Sequence, residues 1–215
     1  AAEQVALEHP EGIRGLVNNA GIAVAAPLAV IPIDAFEQQM DVNVTGLLRV
    51  TQAFMPLMRP GSRLINVSSM AGKVSFPGAG AYHASKHAVE AISDTLRLEL
   101  KSSGIKVSII EPGRIATPIW QSSRNTAEGL LRRIPPEQFA PYKKLMDAVG
   151  KSVSGAERNG ASPMLCANAI YAALTASRPR TRYAVGRDAK LLMFFRRFLL
   201  SDKMWDKLVL NDLKY

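Results

Sequence analysis

Three residues of this chain, Ser69, Tyr82 and Lys86, have types and spacing that could carry chemistry. Tyr82 and Lys86 lie four positions apart, so on a helix they share a face about one turn from each other. An isolated phenol titrates near about pH 10 and stays protonated at neutral pH. A neighbouring ammonium favours the phenolate and lowers that pKa, which turns tyrosine into a proton donor and acceptor near neutrality. Ser69 falls in a small-residue loop after an apolar run, and a hydroxyl there can hold a substrate oxygen beside the tyrosine. A Tyr-x-x-x-Lys pair taken alone fits an ordinary solvated helix face equally well. This one stands between the Ser68-Ser69 loop and the Ile110-Glu111-Pro112-Gly113 segment, where a strand should end.

The elements that must position these residues follow from the patterning. Residues 1–8 read as the last turns of a helix, and 12–17 as a buried strand closed by Asn18-Asn19-Ala20-Gly21. A long helix is expected from Ile33 to Met58, with Asp34 as its N-cap and Pro60-Gly61 as its stop. Arg63–Val67 reads as a strand, Tyr82–Leu100 as a helix with Gly104 as its C′ glycine, and Ile105–Ile110 as a further strand. Strand, helix, strand, helix, strand with short connections implies parallel strands joined by right-handed crossovers. Ligands bind at the carboxyl ends of strands in such sheets, which is where Ser69 is placed.

The constellation resembles the short-chain dehydrogenase/reductase family. The resemblance rests on Asn18-Asn19-Ala20-Gly21, Asn43, Asn66-Val67-Ser68-Ser69, Tyr82-His83-Ala84-Ser85-Lys86, and Pro112-Gly113 followed by Thr117, and it covers the chain up to Thr117. It implies an α/β, Rossmann-like doubly wound parallel sheet, NAD or NADP as cofactor, and hydride transfer to or from a carbinol carbon. It also implies roles. Tyr82 would be the general acid/base; Lys86 would lower its pKa and bond the nicotinamide ribose; Ser69 would orient the substrate oxygen. Asn43 would hold a water that relays protons to Lys86. Asn19, Ala20 and Gly21 would lie along the cofactor, and Pro112, Gly113, Ile115 and Thr117 would pack around the nicotinamide. Asn18 reads instead as a scaffold residue and Ser68 as a turn residue. His83 and His87 make a poor metal pair, so no metal is expected, and Cys166 reads as a small core residue.

The family pattern has a Gly-rich Thr-Gly-x-x-x-Gly-x-Gly turn and two further strands ahead of the Asn-Asn-Ala-Gly segment. Only seventeen residues precede Asn18 here, and none form that turn. The expectation is therefore an N-terminally truncated Rossmann-like sheet, a fragment of a longer enzyme, with its first strand an exposed edge. Such a chain on its own is expected to be unstable and inactive. The alternative is a non-catalytic remnant that serves only as an assembly or partner-binding module.

At 215 residues the chain suits a single domain, with 1–117 as core and active site, 118–160 as a substrate lid, and 161–215 as C-terminal helices and last strand. The lid carries Ile119, Trp120, Leu130, Leu131, Phe139, Tyr142, Leu145 and Met146, which favours a hydrophobic alcohol, ketone or aldehyde over a sugar. The Arg182-Tyr183-Ala184-Val185-Gly186 tail and residues 191–210 are similar to the retinol and hydroxysteroid dehydrogenase branch, which implies a retinoid-, steroid- or lipid-like substrate. Charge is lopsided: 7 Lys+Arg against 9 Asp+Glu in residues 1–100, and 20 against 9 in 101–215. No motif or interleaved aromatic and basic surface supports nucleic-acid binding. Residues 191–210, with Phe194, Phe195, Phe198 and Trp205 among Arg196, Arg197, Lys203 and Lys207, fit either a membrane interface or a helix packed on the core or a partner subunit. No apolar run is long enough to span a bilayer, and a lone cysteine gives no reason to expect an oxidising compartment. Cytoplasmic location, with membrane association through 191–210 as the variant reading, and a homo-dimer or homo-tetramer are the expectations.

Overall fold

Four parallel strands, β1 (Ile13–Asn18), β2 (Met58–Val67), β3 (Lys106–Pro112) and β4 (Arg182–Val185), lie side by side in sequence order. The computed structural model describes residues 1–213, with the backbone alone described at 155–158 and 197. The strands read as unbroken apolar runs because helices cover both faces of the sheet. Successive residues point to opposite sides. Leu64 joins Met58, Ile105 and Val107 against Leu96 and Leu100, whereas Ile65 joins Ile110, Ala173 and Val185 against Ile170 and Leu174.

The first face is covered by α3 (Gly46–Phe54) and α4 (Gly80–Glu99), with α2 (Ile33–Met40) packed against α4, and the second by α8 (Met164–Thr175). A short α1 (Ala2–Glu8) precedes β1. The long helix expected from Ile33 is continuous in path but not in winding: a π turn at Asp41–Thr45 joins α2 to α3, and a 3₁₀ turn follows at Met55–Leu57. β2 then starts at Met58, earlier than the Pro60-Gly61 stop suggests. Asp34 is not the N-cap. Pro32 holds that place with extended ψ, and Asp34 sits in the first turn, where its carboxylate accepts from Arg133 at 2.7 Å. Gly104 has the expected positive φ of +71°, but it closes a turn beyond the helix, donating to Lys101 O, and does not follow α4 directly.

A buried polar network ties the layers together. Asn18 Nδ2 donates to Thr51 Oγ1 and Asn66 Oδ1, both at 2.9 Å, and Asn66 Nδ2 donates to Ser93 Oγ at 2.8 Å. It joins β1, β2, α3 and α4 in one set of satisfied groups, the arrangement that buried amides require. Residues 118–160 hold α5 (Ile119–Leu131), α6 (Pro136–Phe139) and α7 (Lys143–Arg158). Residues 191–210 form parts of two helices, α9 (Arg187–Phe198) and α10 (Asp202–Asp212), where the sequence reads as one segment. The chain breaks at Leu199-Leu200, and Ser201 Oγ caps α10 by accepting from Met204 N. Cys166 packs beside Ile65 and Ile110.

Candidate active site

β2 ends at Val67, and the chain turns through Ser68 and Ser69 into a 3₁₀ turn at Met70–Gly72. Ser69 caps that turn, its Oγ accepting from Ala71 N at 3.1 Å, and it also reaches Pro112 O at 3.4 Å. The turn must lie hard against α4. A Cβ on Gly72 would meet Glu90 Cγ and Ser68 Oγ at 2.8 Å and Lys86 O at 2.9 Å, so only glycine allows the approach.

Tyr82 and Lys86 are on the first two turns of α4, facing this loop. The Ser69 hydroxyl is near enough to the Tyr82 phenol to favour its ionised form. Lys86 is buried; its Nζ lies 5.7 Å from the centre of the Tyr82 ring and donates to Val67 O at 2.9 Å. Burial pulls the Lys86 ammonium down to about 8, opposed by the charge of Glu90. Burial pushes the Tyr82 phenol above its ordinary value, and the nearby Ser69 hydroxyl offsets only part of this. The depressed phenol expected from the Tyr-x-x-x-Lys spacing is therefore not what this arrangement produces. Loss of water around the ring is the larger effect, and the Lys86 ammonium, 5.7 Å from the ring centre, spends its hydrogen bond on Val67 O.

Asn43 lies in the π turn, a distortion common at functional sites. Its amide is engaged: Oδ1 accepts from Ile22 N at 2.9 Å, while Nδ2 donates to Ile22 O and Ser85 Oγ, both at 3.0 Å. Gln39 completes the clamp, accepting from Val24 N at 2.7 Å and donating to Ile22 O at 2.8 Å. The clamp brings Asn19, Ala20 and Gly21 to the site as exposed backbone. A Cβ on Gly21 would stand 3.2 Å from Asn43 Oδ1 and 3.7 Å from Lys86 Nζ. Gln39 carries no sequence signal of this task, because its partners are main-chain groups of Ile22 and Val24, fifteen or more positions away.

The segment after β3 is placed unevenly. Pro112 meets Ser69 through its carbonyl, and Gly113 N donates to Val185 O at 2.8 Å. Gly113 packs directly on the Asp188 carboxylate, which also accepts from Arg114 N at 2.7 Å. The Ile115 side chain is buried among Ile65, Ile110, Ala173 and Val185, beside an isolated parallel bridge to Ala161. Thr117 is partly exposed just before α5. Asn18 belongs to the scaffold network and Ser68 contacts Lys86 O. His83 is buried: Phe76 N–H donates to its Nε2 at 3.2 Å, which leaves Nδ1 to donate to Ala71 O at 3.1 Å. Among the described residues no group of three or more His, Cys, Asp or Glu is arranged to hold a metal.

The residues of 118–160 pack in more than one way. Leu130, Leu131, Ile134 and Phe139 pack onto Ile22, Val24, Ile31 and Phe36, and Met146 and Val149 rest on Gly78, just ahead of α4. The far side of α7 borders a cavity of about 1060 Å³ whose lining includes Arg114, Lys144, Asp147, Lys151, Arg187 and Asp188. Ser69, Tyr82 and Lys86 do not line it.

The site's donors fit a nicotinamide cofactor. Lys86 is a buried ammonium with three donors. Its one protein hydrogen bond among the described residues, to Val67 O, leaves two N–H directions for a diol beside the open Asn19–Gly21 backbone.

A family model described as short chain dehydrogenase matches residues 1–128. The chain is 35% identical over 210 residues to the NADPH-dependent 3-dehydrocapnine reductase of Ornithobacterium rhinotracheale, covering 95% of this chain and 71% of that protein. It is 41% identical over 188 residues to retinol dehydrogenase 16 of Homo sapiens, covering 85% of this chain and 59% of that one. A crystal structure of a short chain dehydrogenase/reductase from Burkholderia phymatum in complex with NAD aligns with TM-score 0.73 at 25% identity, covering 91% of this chain and 69% of its own. A family match over more than half its length, and relatives at this identity, place the chain in the short chain dehydrogenase family, whose members are NAD(P)-dependent oxidoreductases.

Proposed function

We propose that the chain carries the reaction centre for interconverting a hydrophobic carbonyl compound and its alcohol, with Tyr82 as the proton-exchanging group. The observation that carries this reading is the buried Lys86 ammonium 5.7 Å from the centre of the Tyr82 ring, with the Ser69 turn packed against the same helix through Gly72. NAD or NADP supplies the hydride, or accepts it, at C4 of the nicotinamide. Lys86, through its two uncommitted N–H directions, holds the ribose hydroxyls, and Asn19, Ala20 and Gly21 flank it with open backbone. Pro112, Gly113 and Thr117 border the nicotinamide end, and Ile115 supports them from the core. Ser69 donates to the substrate oxygen and holds it at the phenol. Tyr82, kept protonated by burial, is suited to donate its proton to the oxygen of a carbonyl that is being reduced. The remaining lone pair on Asn43 Oδ1 is the side-chain group left for a water that relays protons to Lys86.

Residues 118–160 are read as the substrate lid, and a retinoid-, steroid- or other lipid-like substrate is the preferred class. The kinship with retinol dehydrogenase 16 supports it. So do Met146 and Val149 over Gly78, although much of the lid's apolar surface fastens it to the core. Membrane contact is assigned to α9, where Leu191, Phe194, Phe195 and Phe198 are exposed among cations, while α10 docks Trp205 and Val209 on Val74 and Phe76. Among the described residues no helix is long and apolar enough to cross a membrane. Self-assembly is assigned to the outer faces of α3 and α4, where Val50 and Leu98 are exposed.

The test is nicotinamide turnover with retinoid, steroid and long-chain carbonyl substrates in the wild type and Tyr82→Phe. Loss of roughly 10²–10⁴-fold in kcat with an unchanged melt is expected from removing a general acid. Undiminished turnover in Tyr82→Phe refutes the assignment.

A further inference from the structure

Behind the site lies a cluster of ionisable groups that the proposed reaction does not use. Glu90 follows Lys86 by one turn of α4, and Glu111 is the residue of β3 just before Pro112; they are 5% and 3% exposed. Lys73, from the loop after Ser69, and Arg182, from β4, face both carboxyls. Lys73 Nζ is 2.7 Å and Arg182 Nη1 is 2.9 Å from Glu90 Oε2, whereas both are 3.7 Å from Glu111 Oε1. Arg182 also pairs with Asp94 at 2.6 Å, and Asp94 is shared with Arg97 at the protein surface.

The two carboxyls are thus served unequally. Glu90 receives hydrogen bonds from both cations through Oε2. Glu111 Oε1 is buried with no hydrogen-bond donor among the described residues, and Glu90 Oε1 is buried without a partner too. A buried carboxylate oxygen with no donor is costly when ionised, because the Lys73 and Arg182 charges, held off at 3.7 Å, offset only part of the lost solvation. A proton removes that charge and supplies an O–H. The acceptor left open in the cluster is Glu90 Oε1, the second orphaned oxygen.

We propose that Glu111 and Glu90 hold a single proton between them, carried by Glu111 and donated to Glu90, so that a neutral acid joins β3 and β4 to α4 directly behind Lys86. Burial first, and the charge of Glu90 second, push the Glu111 carboxyl up to about 7, in keeping with that arrangement. Glu111 is then a positioning residue. It leaves Glu90 as the anion that opposes the desolvation of Lys86, and it holds the Pro112 carbonyl where Ser69 meets it. None of this depends on which substrate the chain turns over, or on whether it turns one over.

The sign of the resulting pH dependence is fixed. The folded state keeps a proton that the unfolded chain releases near 4.5, so the Glu111 contribution to stability falls as pH rises from 4.5 to about 7 and levels off above that. Glu111→Gln keeps the shape and the donor of the protonated acid without its charge. It should melt with the wild type at the low end of this window and above the wild type beyond its upper end. Infrared spectra of the wild type should show a protonated-carboxyl C=O band below 7 that fades as pH passes through 7 and is missing from Glu111→Gln. A Glu111→Gln variant that melts below the wild type at every pH would show Glu111 acting as an ion-paired carboxylate and would overturn the proposal. Absence of the protonated-carboxyl band from wild-type protein below 7 would overturn it as well, even if the variant fails to fold.

Discussion

Replacing Lys86 with methionine should stabilise the fold at neutral pH while removing the ammonium beneath Tyr82. Lys86 is 6% exposed and its Nζ is held at about 8 against an ordinary 10.5. At about 1.4 kcal/mol per pKa unit, keeping that group charged costs the fold roughly 3 kcal/mol at neutral pH. Methionine fills the same stem volume without charge. The loss on the other side is the bond to Val67 O at 2.9 Å, whose removal strands a buried carbonyl at roughly 1–2 kcal/mol. The net gain is roughly 1–2 kcal/mol, or a rise in Tm of roughly 2–8 °C for a chain of this size. The pH dependence sharpens the test. Because the folded pKa is depressed, the unfolded chain takes up the proton more readily between 8 and 10.5, and wild-type stability climbs across that window as the lysine neutralises. The advantage of Lys86→Met should therefore shrink from pH 8 upward and become a deficit near 10.5. Thermal melts by circular dichroism at a series of pH values measure this directly. A variant that melts below the wild type at neutral pH, or a difference that stays constant from 8 to 10.5, refutes the reasoning.

Other perturbations probe the scaffold. Gly72→Ala places a methyl within 2.9 Å of Lys86 O and 2.8 Å of Glu90 Cγ, so it should cost roughly 1–3 kcal/mol and lower kcat more than it raises KM. Unchanged kinetics would show that the Ser69 turn tolerates displacement. Asn66→Ala removes the acceptor for Asn18 and the donor to Ser93 in a dry layer, a loss of roughly 2–4 kcal/mol by chemical denaturation. Burial holds His83 below its ordinary 6.5, and neutral His83 accepts from Phe76 N–H. The His83 contribution to stability should therefore fall as pH drops below 6.5, where the unfolded chain takes up a proton that the folded chain resists, opposite in sign to the Glu111 contribution. His83→Gln should gain stability relative to the wild type as pH drops through this range, and a difference independent of pH would refute the assignment.

The order of elements and the shared face of Tyr82 and Lys86 were legible because both are local. Apolar runs mark strands buried on both faces, and a four-residue spacing on α4 fixes two side chains on one face. What escaped depends on tertiary partners. The π turn at Asp41–Thr45 leaves no mark in periodicity, yet it sets Asn43 and, with Gln39, clamps Ile22. Pro32 displaces Asp34 as N-cap because the chain enters α2 extended and Arg133, 99 positions away, engages the carboxylate. Ile115 is buried beside a bridge to Ala161 that no window around it discloses. The split of residues 191–210 follows from Trp205 and Val209 docking on Val74 and Phe76. Glu90, Glu111 and Arg182 meet only because α4, β3 and β4 converge.

The account rests most heavily on the claim that Lys86, Tyr82 and the Asn19–Gly21 backbone form one end of a nicotinamide site. Thermal melts of the wild type with NAD, NADH, NADP and NADPH, each raised well above its Kd, test that claim without requiring a known substrate. A cofactor at 100 times its Kd stabilises the folded state by about 2.7 kcal/mol, which for this chain length raises Tm by roughly 5–11 °C. The account predicts such a rise with at least one of the four and a diminished rise in Lys86→Met. A cooperative melt that none of the four displaces would contradict it.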